Sequence, residues 1–335
     1  MGNYPKINYI GNKNKLTDWI IDNFPVKSGR VLDLFCGGCS VSYALKEKGY
    51  SVIANDALYS NFVLAKAIIE NNKILLLPKD FDKKVNEDEL KSTYMKIKFL
   101  ENQLYFPDEV KELAKLIRIS ASMKGYKKYM YLALIRRAMI RKIPYSRMNV
   151  PWNQIVKLRN EEYSYEKYKR RRAYHNYSFE KHVMDNLDNY NNAVFDNNQV
   201  NMAFNKDSFQ MVKDLGDSVD VIYMDPPYPA TMNKYGDFYG AYDKMLGKEK
   251  KYVNLSEDDK FLENFERLIK LCLKKTRYIV ISENKKTKPS YLELVDILSK
   301  YGNVTVVEKN HQYKVTSKEN KNDNTEVLLI VDTKK

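Results

Sequence analysis

Three cysteines and three histidines are few for a chain of 335 residues, and their scarcity excludes a good deal. Three cysteines cannot build a disulfide framework, so a reducing compartment is the simpler expectation. Cys36 and Cys39 do form a C-x-x-C, but Cys272, His175, His182 and His311 are scattered along the chain. That leaves no zinc set of ordinary spacing, so the expectation is no metal and free buried thiols. Glycine is also sparse, with twelve residues and no G-x-G-x-x-G, which excludes the nicotinamide-type dinucleotide turn. "GNKNKLT" is too short between Gly11 and Lys15 to be a phosphate-binding Walker loop. Long apolar runs are missing: the mean hydropathy is −0.59, so nothing is expected to span a membrane. The N-terminus lacks the sustained apolar segment of a secretion signal, and the cytoplasm is the expected address.

Positive charge, by contrast, is in surplus. The formal net charge is +14, which points to a polyanionic partner. From Lys124 to Arg172 there are fifteen Lys/Arg against three Glu, so this window carries nearly all of the excess. Nine tyrosines between Tyr126 and Tyr177 are interleaved with those cations. Basic groups bind phosphates and aromatic rings stack on bases; a solvated basic helix face with core tyrosines would give the same composition.

The ends of the chain alternate in α/β fashion. "KLTDWIIDNF" reads as a helix, "RVLDLF" as a strand, "SVSYALKEKG" as a helix, "YSVIAND" as a strand and "LYSNFVLAKAIIEN" as a helix. The pattern returns at "QVNMAFNKD", "DVIYMD", the long helical "SEDDKFLENFERLIKLCLKK", "RYIVIS" and "EVLLIVD". Between them lies polar, Tyr-rich, mainly helical sequence. The expected fold is a doubly wound, Rossmann-like sheet built from residues 1–77 and 199–335, with residues 78–198 inserted as a helical domain.

Three strand ends carry chemistry. Gly37 and Gly38 follow the first strand, where a ligand needs close backbone approach. Asp56 ends the second strand, in the place of an acid that accepts hydrogen bonds from ribose. In "VIYMDPPYPA", Pro226 and Pro227 must end a buried strand because neither can donate to a sheet. Asp225 and Tyr228 are thereby held in a stiff turn at the edge where open α/β sheets bind ligands.

Together "DLFCGG", "ND" and "DPPY" resemble the S-adenosylmethionine-dependent amino-methyltransferases, in the order of the Dam-like class of adenine-specific DNA methyltransferases. The resemblance covers most of residues 5–330 and implies S-adenosylmethionine as cofactor. "NYIGNKNKL" is similar to that class's N-terminal cofactor motif, with Tyr9 and Lys13 at its aromatic and lysine positions. Asp33, Phe35 and Gly37 match its D-x-F-x-G, and Asp56 its ribose-binding acid. "NKDSF" resembles the segment that contacts the cofactor's adenine, which makes Asp207 an acceptor there. "YIVISENK" is similar to the strand after catalysis, and "HQYKV" with "NTEVLLI" to a closing hairpin. Where the class has a second glycine this chain has Cys39.

The implied activity is methyl transfer to the exocyclic amine of a flipped adenine in double-stranded DNA. Asp225 and the Pro226 carbonyl would take the amino hydrogens, Tyr228 would stack on the base, and Phe238 or Tyr239 would form its other wall. Arg136, Arg137, Arg141, Lys142, Arg170, Arg171 and Arg172 are the candidate DNA contacts. The implied setting is the modification half of a bacterial restriction–modification pair, with a cognate endonuclease acting on the same site. The alternatives are an adenine methyltransferase of ribosomal RNA and an N(4)-cytosine DNA methyltransferase. Carbon-5 cytosine chemistry is excluded, since no cysteine here follows a proline to serve as its nucleophile.

Overall fold

Short apolar runs that end in acidic residues become the strands of one sheet. The structure, a computed structural model, describes residues 2–229, 235–253, 255, 260–310 and 325–334. It separates into two packing units. One comprises Lys13–Ala57, Asn197–Lys234 and Lys250–Lys335, the other Met1–Asn12, Leu58–Asp196 and Tyr235–Glu249. Packing thus divides the chain at other residues than 77/78 and 198/199, and in particular assigns the helix Tyr59–Ala65 to the second unit.

The first unit holds the sheet. Its strands are β1 (Arg30–Asp33), β2 (Ser51–Asn55), β3 (Met202–Phe204), β4 (Val219–Met224), β5 (Thr276–Asn284), β6 (Asn303–Asn310) and β7 (Thr325–Asp332). They lie in the order β3-β2-β1-β4-β5-β7-β6. β3, β2, β1, β4 and β5 are parallel, while β7 runs antiparallel between β5 and β6. Strand order reverses at β1 and β4, whose register pairs Asp33 with Tyr223. This is the doubly wound α/β sheet expected from the alternation, and the reversal marks the edge that receives ligands.

The central strands are nearly continuous apolar runs because helices cover both faces. Leu32, Ile53, Ile222, Met224, Ile279, Ile281 and Leu329 pack into one buried cluster with Phe261, Phe265, Leu268 and Ile269 of the helix Phe261–Cys272. Tyr223, alternating to the opposite face, meets Phe24 at 6.2 Å. β6 has no counterpart in the sequence reading. Its residues are half-buried or exposed, as befits an edge strand with one neighbour. "HQYKV" lies outside the described residues.

The second unit is helical. Gly125–Lys142 runs through its middle, packed against Phe179–Asn191, Pro107–Ala121 and Tyr59–Ala65. Most of its second half is buried, and Pro144 follows its end, opening a short 3-10 turn. Asp243, from the helix Tyr235–Met245, accepts the amides of Tyr59 and Ser60 at 2.8 Å each, supplying the cap that Tyr59–Ala65 lacks in its own sequence. No helix among the described residues is long and apolar enough to cross a membrane.

Two glycines offer a test of the sheet's edge packing. A Cβ at Gly302, just before β6, would lie 2.3 Å from the backbone oxygen of Asp332, whereas one at Gly216 would meet nothing within 4 Å. Gly302→Ala is expected to cost about 1–3 kcal/mol of stability through overpacking against backbone. Gly216→Ala should stay within about 0.5 kcal/mol of wild type. Urea unfolding reads both, and equal midpoints would contradict this packing.

Candidate active site

The β1–β4 edge collects carboxylates. Asp33 ends β1 fully buried, and Ser42 donates to its Oδ2 at 2.5 Å from the helix Ser40–Glu47. Its Oδ1 has no hydrogen-bond partner among the described residues. Burial, opposed by Ser42 and reinforced by the nearby Asp225 charge, pushes its pKa up to about 7. The glycine turn follows directly. Gly37, at φ +49°, donates its amide to Asp56 Oδ2 at 2.9 Å, which ties the turn to the end of β2. Cys39 holds φ +60°, so the left-handed backbone that favours glycine persists where the related class has one. The Cys36 and Cys39 sulfurs lie 3.7 Å apart as free, buried thiols, and Cys272 is likewise buried and free. Phe35 is half-buried beside the turn.

Asp225 follows β4 with its side chain three-quarters buried. Lys13 Nζ lies 3.4 Å from Asp225 Oδ1 and 3.5 Å from Glu326 Oε2. Lys13, expected among cofactor contacts, is therefore a bridge between two carboxylates. Burial raises the Asp225 pKa to about 6, Lys13 opposes the rise and Glu326 adds to it. Pro226 is buried. Tyr228 is 6 % exposed, its ring 5.5 Å from Phe261 and its hydroxyl donating to the Ser282 carbonyl at 3.0 Å. That tether fixes the ring from its far end.

Asp207, expected to accept from the cofactor's adenine, also accepts from the chain itself. Its Oδ1 caps the helix Ser208–Asp214 through the amides of Phe209 and Gln210, at 2.9 and 3.3 Å. Its Oδ2 accepts from Val253 at 2.8 Å. Two acids that the sequence analysis did not single out also belong to this edge. Glu283, near the end of β5, is fully buried, accepts from Thr287 and leaves Oε2 without a hydrogen-bond partner among the described residues. Burial raises its pKa to about 7. Glu326, 1 % exposed near the start of β7, accepts from Asn284 at 3.2 Å. "YIVISENK", expected as the strand after catalysis, supplies the end of β5 at Asn284.

The helical unit holds the other residues singled out by sequence. Tyr9 stacks on Tyr239 at 5.0 Å and 14°. The Arg136 guanidinium lies 5.8 and 5.3 Å from these rings and donates to Asn61 at 3.1 Å. Tyr239 accepts from the Ile10 amide at 3.0 Å, and it and Phe238 are buried.

Three cations expected at the DNA face are corrected by their burial. Arg136 is 1 % exposed and Arg137 6 %, within reach of Asn186. Lys142, 1 % exposed, pairs with Glu109 at 2.6 Å and donates to the Tyr177 carbonyl. Glu109 also takes two bonds from Arg159, at 2.8 and 2.6 Å. Burial works to raise its pKa, but Arg159 and Lys142 together hold it below the usual carboxylate range. A cation that neutralises a buried carboxylate cannot leave for a phosphate without stranding that charge.

Arg141, Arg170, Arg171 and Arg172 differ. They line a recess of about 640 Å³ together with Tyr145 and Tyr174. Arg141 sits 3.8 Å from the Tyr174 ring centre and Arg172 4.8 Å from that of Tyr168. Arg170 and Arg171 are exposed. Tyr145, Ser146 and Arg172 on its wall, and Lys169 beside it, all have φ between 55° and 61°. Left-handed backbone at four non-glycine positions is strain of the kind that concentrates where a surface is shaped for a ligand. His175 and His182 are buried nearby and donate to the backbone carbonyls of Arg141 and Tyr174, at 2.8 and 2.7 Å, with burial lowering both pKa values to about 4. No three His, Cys, Asp or Glu converge as a metal site among the described residues.

Comparison with known proteins fits this geometry. A family model for the D12 class of N6 adenine-specific DNA methyltransferases matches residues 9–288. Over 338 residues, 99% of this chain and 98% of the relative, the chain is 43% identical to the Type II methyltransferase M2.HphI of Haemophilus parahaemolyticus. A shorter stretch of 67 residues, 19% of this chain and 21% of the relative, is 33% identical to the Type II methyltransferase M.CviAII of Paramecium bursaria Chlorella virus 1.

The buried acids predict how stability responds to pH. Asp33 and Glu283 shift from 3.8 and 4.5 to about 7 in the folded chain, so folding takes up protons between roughly pH 4 and 7. Their contribution is present in full below about pH 4 and lost as pH rises through 7. Without ligand, thermal unfolding should occur at higher temperature at pH 6 than at pH 8, and Asp33→Asn should flatten that difference. Because His175 and His182, lowered to about 4, add stability as pH rises through 6.5, the variant comparison decides: an Asp33→Asn protein with the wild-type difference between pH 6 and 8 would contradict the assignment.

Proposed function

The chain belongs to the D12 class of N6 adenine-specific DNA methyltransferases, which use S-adenosylmethionine as methyl donor, and from that premise we propose how its own residues carry out the transfer. The carrying observation is Asp225 on a proline-stiffened turn beside the buried Asp33, at the edge where strand order reverses.

The turn at Gly37, the paired Asp56 and the unpartnered Asp33 oxygen suit a nucleoside with a cationic amino-acid tail. When bound, S-adenosylmethionine supplies an electrophilic methyl group on a sulfonium. The exocyclic amine of adenine is a poor nucleophile because its lone pair is delocalised into the ring. Asp225 and the Pro226 carbonyl accept its two hydrogens, which favours a more tetrahedral nitrogen and stabilises the positive charge that develops there. The amine then loses one proton as it gains the methyl, and Asp225 is the acceptor at hand. The Tyr228 ring is held through its hydroxyl and is only 6 % exposed, so an extruded base stacks on it once neighbouring side chains give way. Phe35 packs beside the cofactor turn, Tyr9 keeps its aromatic role at the N-terminal motif, and Asp207 serves the cofactor's adenine indirectly, by fixing the loop at Val253.

Residues 78–198 form the target-recognition part. Its DNA face is carried by Arg141, Arg170, Arg171 and Arg172 around the strained, tyrosine-lined recess, which suits phosphates and unstacked bases. The near full-length likeness to a Type II methyltransferase supports a role as the modification enzyme of a restriction–modification pair. The proposed setting is the bacterial cytoplasm, with an endonuclease that cuts the same unmethylated sequence as functional partner.

Labelled S-adenosylmethionine offered separately to unmethylated duplex DNA and to ribosomal RNA tests the activity. The expected product is N(6)-methyladenine from DNA alone, and label confined to RNA would overturn the substrate. Asp225→Ala should lower the rate by at least about a hundredfold, in line with the loss of a charge-stabilising group, while leaving DNA binding intact. Retained activity would refute the catalytic assignment.

Replacing Arg170, Arg171 and Arg172 with Ala should weaken DNA binding across sequences. Each lost phosphate contact should lower the slope of log affinity against log salt by about 0.9. An unchanged slope would move the DNA face elsewhere.

A further inference from the structure

We infer that Glu326 is a positioning residue for methyl transfer, acting through Lys13 to hold the Asp225 carboxylate at the edge of the sheet. The inference rests on the reading of Asp225 as acceptor of the amino hydrogens.

The topology explains how a residue so late in the chain arrives there. β7 runs antiparallel to β5, so its start lies level with the end of β5, and the register pairs Glu326 with Asn284. β5 runs parallel to β4, with Met224 opposite Ile281. The opening of β7 therefore emerges at the same edge as the residue after β4, which is Asp225. Glu326 lies beyond the residues 9–288 that the family model matches, so no motif of that match includes it.

The contacts supply the rest. Lys13 Nζ stands 3.4 Å from Asp225 and 3.5 Å from Glu326, with the Glu326 side chain 1 % exposed and that of Lys13 11 %. An ammonium carries three donors on a flexible stem and has no preferred direction of its own. Sharing it between two carboxylates fixes where it sits, and it in turn fixes the Asp225 oxygen it faces. Asn284 holds the other Glu326 oxygen, so this second anchor is itself oriented by the strand beside it. A buried carboxylate next to another acid is costly unless a cation lies between them. Core packing alone would be served better by an apolar side chain.

The electrostatics run the same way. Asp225 feels Lys13 and Glu326 directly, Asp33 from β1, and the phenols of Tyr223 and Tyr228 from its own segment. Glu283 of β5 couples to Lys13 and Glu326. Removing the Glu326 charge takes away a repulsion and removes a carboxylate that competes with Asp225 for Lys13. Both changes favour the ionised carboxylate.

The experiment follows single-turnover methyl transfer by the full-length chain from pH 5 to 9, with labelled S-adenosylmethionine and duplex DNA that the wild type methylates. Glu326→Gln, which keeps the shape, should slow transfer by about tenfold to a hundredfold through misplacement of the reacting groups. It should also move the acid limb of the profile to lower pH, while cofactor affinity and unfolding midpoint stay near wild type. Glu326→Asp, which keeps the charge, should return the limb toward its wild-type position. A Glu326→Gln enzyme with the wild-type limb, or with activity reduced only in proportion to its folded fraction, overturns the inference. If Asp225→Asn transfers methyl as the wild type does, the reading of Asp225 falls and carries this inference with it. An Asp225→Asn enzyme that is inactive beside an unaltered Glu326→Gln enzyme removes Glu326 alone.

Discussion

The chemistry proposed for this chain depends on one pairing, that of β1 with β4 as parallel neighbours at the centre of the sheet. Parallel strands finish on the same side, so the residues that end them emerge together. Leu34 donates to the Tyr223 carbonyl at 3.0 Å, which carries the pairing one residue past β1. Asp33 and Asp225 are consequently near enough for each charge to weigh on the other. Had either strand run the other way, its acid would lie at the opposite edge. The two prolines complete the arrangement by ending β4 with no further ladder bond, so the carboxylate cannot be drawn into the sheet.

Much of this edge was legible in the sequence because it is punctuated. A glycine pair after an apolar run, an acid after the next run and a double proline after a third each have a local physical meaning that survives without knowledge of the fold. Asp33 ends β1, Asp56 and Asp225 directly follow β2 and β4, and Gly37 lies in the turn after β1, as that punctuation required. Glu326 was illegible for the opposite reason. "TEVLLIVD" reads as an apolar strand opened by an ordinary polar residue, and only the antiparallel insertion of β7 beside β5 turns that opening into part of the edge. β6 was missed because an edge strand with few buried residues has no hydrophobic alternation to betray it.

The basic segment teaches a different lesson about charge. A count of cations treats Arg136, Lys142 and Arg170 alike, yet the first two are buried and the third is exposed. Periodicity held part of the distinction. The helix Gly125–Lys142 buries nearly every residue from Met130 onward, so cations within it had to find partners inside the unit. They did so in polar groups distant in sequence, Asn61 for Arg136 and Glu109 for Lys142. Residues 170–172 lie between a helix and a short 3-10 turn, where nothing obliges them to be neutralised internally.

These two treatments of buried charge explain why one region of polar residues can be structural and another chemical. Around Glu109 the cations outweigh burial and its carboxyl stays easily ionised. Around Asp225 the balance is reversed. Asp33, Asp225, Glu283 and Glu326 gather at one edge, where Lys13 bridges two of them, and burial raises the pKa of Asp33, Asp225 and Glu283. That imbalance works against the folded state near neutral pH, and the apolar sheet beneath must offset it. It also leaves a negative potential at the edge, which favours a cationic ligand and a transition state whose nitrogen is gaining positive charge. An edge neutralised as fully as Glu109 would be more stable and would lose that preference. On the proposed reading, the incomplete pairing is the part of the structure that serves the chemistry, set against strands that are otherwise packed for stability.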